Sequence, residues 1–143
     1  MLFRSEIYRD GPRPATVYRS VGVPGTVGRT PVHANVVGCE WPVALRVAIP
    51  DDWVSGFYVV VVRVADDDGA VFEREHFFVV RAAQPASRTS IAFVVSTGTM
   101  CAYNDWGGGN CYHGPDSTPR DRMPCPRTSL RRPWAREIGR AHV

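Results

Sequence analysis

The run Phe57-Tyr58-Val59-Val60-Val61-Val62-Arg63-Val64 limits this chain more than any other segment. Its β-branched and aromatic residues favour an extended backbone, and its length suits a strand rather than a helix. Asp66-Asp67-Asp68-Gly69 follows, and the Asp-Gly pair can supply the positive-φ positions of a tight hairpin. A calcium loop would need alternating oxygen ligands and a distal Glu, which this stretch lacks. The return segment, Val71 to Arg81, is charged in its middle (Glu73, Arg74, Glu75, His76) and apolar at its end (Phe77, Phe78, Val79, Val80). An antiparallel hairpin is expected, with His76 on a solvated or ion-paired face.

Upstream, Val43, Leu45, Val47 and Ile49 alternate with the period of a half-buried strand, and Pro50-Asp51-Asp52 ends it. Residues 1–42 are rich in Gly, Pro and Arg, with short strand-like pieces such as Ala15-Thr16-Val17-Tyr18-Arg19. Several short strands with regular turns and no helix signature predict an Ig-like antiparallel β-sandwich over residues 1–83. Trp41 and Trp53 fall in its core or at its rim. Residues 84–90 read as a linker. Ile91-Ala92-Phe93-Val94-Val95-Ser96 then reads as a fully buried strand running into a glycine-rich loop, the opening of an α/β domain over residues 91–136. Such a domain needs several units of roughly 30 residues each. The short span to Arg136 holds only the first, so the α/β domain is expected to be incomplete. The last residues, Glu137-Ile138-Gly139-Arg140-Ala141-His142-Val143, match the translation of a common sequencing-adapter read. They are read as a scar, with the natural protein continuing past Arg136.

Composition narrows the function classes. With 44% hydrophobic residues the 143-residue chain can bury a core, and no run approaches the ~18 apolar residues of a membrane span. Met1-Leu2-Phe3-Arg4-Ser5-Glu6 lacks the basic and apolar regions of a signal peptide, which favours a cytoplasmic location. The net charge is +3 and every basic residue is Arg, as a GC-rich genome tends to encode. The Arg-rich stretch after Thr118 is also Pro-rich and has only Trp134 as an interleaved aromatic, so nucleic acid is not an expected partner. Cys39, Cys101, Cys111 and Cys125 follow no CxxC spacing and read as free thiols. Cys111 and His113 alone do not make a zinc site.

Chemistry concentrates after Ser96. Thr97 and Thr99 offer hydroxyls, Tyr103 and Tyr112 phenols, Asn104 and Asp105 an amide and a carboxylate. Trp106 offers a flat wall, and Gly107, Gly108 and Gly109 expose backbone that a ligand can approach closely. Such a set could form a pocket floor with an oxyanion-type donor, or give hard oxygen ligands to a metal. Equally, it could be a structural turn whose aromatics pack under the sheet. No Ser/His/Asp order, HExxH, Walker loop or GxGxxG is present.

The run Thr97-Gly98-Thr99-Met100-Cys101-Ala102-Tyr103-Asn104-Asp105-Trp106-Gly107-Gly108 resembles the T-x-T-x-x-A-Y-N-x-W-G-G signature of proteins similar to the large (β) subunit of N,N-dimethylformamidase. Other segments agree in order: Val17-Tyr18-Arg19 with Gly22 and Gly25, Asp52-Trp53-Val54-Ser55-Gly56-Phe57-Tyr58, Phe77-Phe78-Val79-Val80-Arg81, and Ser129-Leu130-Arg131-Arg132-Pro133-Trp134. The resemblance implies a β-sandwich followed by a class I glutamine-amidotransferase-like α/β domain. It also implies hydrolysis of a small N-substituted amide to an amine and formate at a ferric ion bound by two tyrosines and a glutamate. Fe(III) is a hard ion suited to phenolate and carboxylate. Tyr103 matches the first phenolate, with Tyr112 the weaker candidate, while Thr99, Asn104, Asp105, Trp106, Gly107 and Gly108 would shape the pocket. The glutamate and second tyrosine would lie past Arg136, so the fragment is expected to be inactive and to bind iron poorly. Expected partners are a small amide substrate and either a further copy of the chain or a small partner subunit, with no membrane. The alternatives are a non-catalytic protein that binds a small molecule or carbohydrate, and a purely structural module.

Overall fold

A computed structural model describes residues 1–87, 90–114 and 124–135. The chain divides into two compact units: Met1–Val27 with Val43–Phe93, and Gly28–Pro42 with the segment from Val94 onward. The boundary at residue 83 was drawn along the chain, whereas residues 28–42 pack with the second unit. Residues 137–143, read above as a scar, lie outside the described residues.

The first unit is mostly sheet and consistent with a sandwich-like fold. Its strands are β1 (Leu2–Arg9), β2 (Ala15–Pro24), β3 (Gly56–Ala65) and β4 (Val71–Val80), all antiparallel in the order β2-β1-β3-β4. The β3–β4 hairpin forms as its sequence predicts. Asp66 Oδ1 accepts from the backbone N–H groups of Asp68 (3.1 Å) and Ala70 (2.7 Å), and Gly69 takes φ 82°. Directly opposed residues then stack: Tyr58 faces Phe78 with ring centroids 5.4 Å apart, and Trp53 covers Tyr58 at 5.1 Å. Tyr58, Val61, Val59 and Ile7 form the buried core. Burying a side chain of this size contributes roughly 1.5–3 kcal/mol.

Strand β1 lies in the middle of the sheet although Arg4, Glu6 and Arg9 interrupt its apolar residues. Neighbouring strands supply partners for those polar groups. Glu6 pairs with Arg19 on β2 (3.0 Å) and with Arg63 on β3 (3.4 Å), and Arg63 reaches Glu73 on β4 (2.5 Å). Ser5 and Ser20 share a hydrogen bond at 2.8 Å on the opposite face.

Two expected strands are corrected. Val43–Ile49 forms no strand, and its ends are exposed (Val43 63%, Ile49 45%). Ile91–Ser96, expected as a buried α/β strand, is irregular, and Ile91, Phe93 and Val94 are each 82% exposed. Apolar patterning supplies a face for burial, but a strand also needs a paired neighbour. No parallel strand occurs among the described residues, and only one sheet is present there. The second unit instead carries two short helices, α1 (Ala34–Val37) and α2 (Thr97–Tyr103). The segment expected as loop from Thr97 is therefore helical up to Tyr103. No helix among the described residues is long and apolar enough to cross a membrane.

Candidate functional site

Helix α2 ends at Asn104, whose N–H donates to the Met100 carbonyl (3.0 Å). Thr99 lies on the exposed part of this helix, so its hydroxyl is not at a strand end. The chain then turns through Trp106–Gly108, with Gly108 N–H donating to the Asp105 carbonyl (3.3 Å). Gly107 and Gly108 take φ 85° and 110°, values that L residues adopt only with strain.

Buried polar side chains fix this turn. Asn104 is 3% exposed. Its Nδ2 donates to the Pro133 carbonyl (2.9 Å), and its Oδ1 accepts from the N–H groups of Trp106 (3.2 Å) and Ala135 (3.0 Å). Asn110 plays the matching part at the other end. Its Oδ1 accepts from Tyr112 N–H (2.8 Å) and His113 N–H (2.9 Å), while Nδ2 donates to the Tyr103 carbonyl (3.4 Å). Cys111 N–H returns to the Ala102 carbonyl at 2.9 Å. The Arg132 guanidinium, also buried, donates to the Asn104, Trp106, Gly109 and Ser129 carbonyls.

Helix α1 supports the turn from below. Asn35 is fully buried, and its backbone N–H donates to the Gly107 carbonyl (3.2 Å). Its side-chain nitrogen, in the orientation its surroundings satisfy, donates to the His33 and Gly107 carbonyls. A Cβ on Gly107 would stand 3.0 Å from Ala34 Cβ and 3.0 Å from Asn35 N. Trp106 packs edge-on against Trp41, with centroids 5.8 Å apart at 86°.

This framework brings the two candidate phenols together. The Tyr103 and Tyr112 rings lie with centroids 4.6 Å apart, and both are about half exposed (49% and 47%). A hydrogen bond to Tyr103 raises the Tyr112 pKa above its ordinary value of 10.0, and the electrostatic influence of Tyr103 adds to it. Asp105 and Gly108 are exposed, whereas Trp106 and Gly107 are half-buried and Asn104 is buried. Asn104 and Gly107 thus face the protein's own backbone, and the phenols face outward. Among the described residues no group of three or more His, Cys, Asp or Glu side chains is placed to hold a metal ion. All four cysteines are free.

Asn110, Asn35 and Arg132 carry much of this geometry, yet their sequence neighbourhoods do not announce it. Only Arg132 had a signal, its place in the Ser129–Trp134 motif. The two motifs, far apart in sequence, meet through Arg132 and Asn104.

No curated protein and no solved structure matches the chain. The family model described as N,N-dimethylformamidase beta subunit-like, C-terminal, matches residues 3–143, almost the whole chain. The chain therefore belongs to the N,N-dimethylformamidase beta subunit-like C-terminal family.

Proposed function

We propose that this chain is part of a hydrolase of small N-substituted amides, with Tyr103 as one phenolate ligand of a ferric ion. The observation that carries the reading is the Tyr103–Tyr112 pair, two half-exposed phenols held against each other on a rigid turn. Phenolate oxygen is a hard donor, and the pair offers the kind of oxygen that Fe(III) prefers. When bound, such an ion polarises a carbonyl and lowers the pKa of water. Tyr103 would hold the ion. Tyr112 would keep a hydrogen bond at the Tyr103 oxygen. Trp106 supplies an apolar wall, and the exposed Gly108 leaves room for a small amide. The family resemblance implies a glutamate and a second tyrosine as the remaining ligands, together with a glutamine-amidotransferase-like domain.

Ferric nitrilotriacetate added to a protein that joins this chain to the glutamine-amidotransferase-like domain implied by the family resemblance should give a visible tyrosinate-to-iron charge-transfer band that Tyr103→Phe removes. In the same protein, release of dimethylamine from N,N-dimethylformamide should be lost in Tyr103→Phe. A colourless protein at saturating iron, or a band unchanged in Tyr103→Phe, refutes the assignment. A non-catalytic binding role has one observation in its favour. Trp41 lines a groove of about 630 Å³ with Arg29 and Glu40, an aromatic surface with charged edges suited to a sugar ring. Saturable carbohydrate binding in protein without amidase activity would favour that reading.

A further inference from the structure

We propose that Arg132 is a positioning residue for the Tyr103–Tyr112 pair, clasping from inside the turn that carries both rings. The inference rests on the reading above only in taking that pair as the candidate ligand surface.

Arg132 is 6% exposed, and among the described residues no carboxylate lies within ion-pair distance of it. A buried charge is costly unless hydrogen bonds satisfy it, and here backbone carbonyls do so. Nε donates to Ser129 O (3.1 Å), Nη1 to Gly109 O (3.0 Å) and Trp106 O, and Nη2 to Asn104 O (2.6 Å). Three of these carbonyls belong to one turn, at its start, middle and end. The acceptors are spread around a planar fork, a geometry that guanidinium matches and a lysine ammonium does not.

The clasp reaches the phenols through two short links. Asn104 directly follows Tyr103, so fixing the Asn104 carbonyl fixes the end of the helix from which the Tyr103 ring projects. Gly109 directly precedes Asn110, whose amide holds the Tyr103 carbonyl and the Tyr112 N–H together. Pro133 and Ala135, flanking residues of the same segment, grip the Asn104 side chain. Arg132 thus sets the span of the turn, and that span sets the distance between the rings. A purely packing role would need only an apolar side chain of similar volume.

The test reads the pair without metal, so it can fail independently of the iron assignment. In NOESY spectra the Tyr103 and Tyr112 ring protons should give cross-peaks in the parent protein, whose ring centroids are 4.6 Å apart, and these should be lost in Arg132→Ala. Guanidinium ion at sub-denaturing concentration should restore the cross-peaks in that variant, and Arg132→Lys should not. Cross-peaks unchanged in Arg132→Ala, a parent-like Arg132→Lys, or no response to guanidinium overturns the proposal. Should Arg132→Ala fail to fold, hydrogen exchange at the Arg132 Nε–H of the parent protein decides instead. Slow exchange is expected from its bond to Ser129, and exchange as fast as in free arginine overturns the clasp.

Discussion

Gly107→Ala should strongly destabilise the unit that carries the Tyr-Asn-Asp-Trp turn, whereas Gly98→Ala, in the preceding helix, should leave it slightly more stable. At Gly107 the backbone has φ 85°, where an L residue costs about 1–2 kcal/mol. The new methyl would also stand 3.0 Å from Ala34 Cβ and 3.0 Å from Asn35 N. The second of these is backbone, held by the bond from Asn35 N–H to the Gly107 carbonyl, so it cannot swing away. Overpacking of this kind costs about 1–3 kcal/mol. Together the two effects come to about 2–5 kcal/mol, a large part of the roughly 5–15 kcal/mol that holds an ordinary domain together. Gly98 has ordinary helical φ and nothing within 4 Å of its would-be Cβ. Alanine there gains about 0.5 kcal/mol, the lower end of the helix preference because the site is in the first turn. Urea unfolding followed by tryptophan fluorescence in a Trp53→Phe background reports on Trp41, Trp106 and Trp134, all of this unit, the first two in contact with each other. Equal midpoints for Gly107→Ala and Gly98→Ala would refute the steric argument.

Two further outcomes concern pH. The Tyr112 pKa is raised in the folded protein, chiefly by its hydrogen bond to Tyr103, so the associated stability is present below 10.0 and is lost as pH rises through the folded value. Tyr103→Phe should remove that alkaline loss, seen as a flatter urea midpoint against pH on the alkaline side. The Glu6 pKa is lowered, first by its hydrogen bond to Thr16 and then by Arg19, so its contribution is present above 4.5 and is lost as pH falls through the folded value. Acid titration of circular dichroism should show Glu6→Gln less acid-sensitive than the parent, and equal sensitivity would exclude Glu6 as a source of that dependence.

The hairpin of β3 and β4 was legible because its information is local: an apolar run, an Asp-Gly turn and a return strand of matching length. Strand β1 was not. Its charges at Arg4, Glu6 and Arg9 suggest solvent, and only the residues brought alongside make them tolerable in a central strand. Val43–Ile49 and Ile91–Ser96 erred the other way, since their composition favours extension and no neighbouring strand pairs with them. Thr97-Gly98-Thr99 has poor helix propensity, yet α2 forms there within its tertiary setting. At the site, the residue types of the turn were legible and Tyr103 stood out beside Tyr112. That Asn104 and Gly107 point into the protein could not be read, because it depends on Arg132 and Asn35, both distant in sequence. The resemblance supplied the two motifs, and the fold supplies their contact.

The chain of charges across the sheet has a consequence for how it assembles. Arg19, Glu6, Arg63 and Glu73 come one from each strand and alternate in sign in the spatial order β2, β1, β3, β4. Exposed pairs of this kind add little stability, a median of about 0–1 kcal/mol. A slip of one residue in any pairing, however, would carry that strand's charge to the opposite face and leave its neighbours facing like charge or none. The series therefore disfavours one-residue slips that β3, with valine on both of its faces, would tolerate on its apolar residues alone.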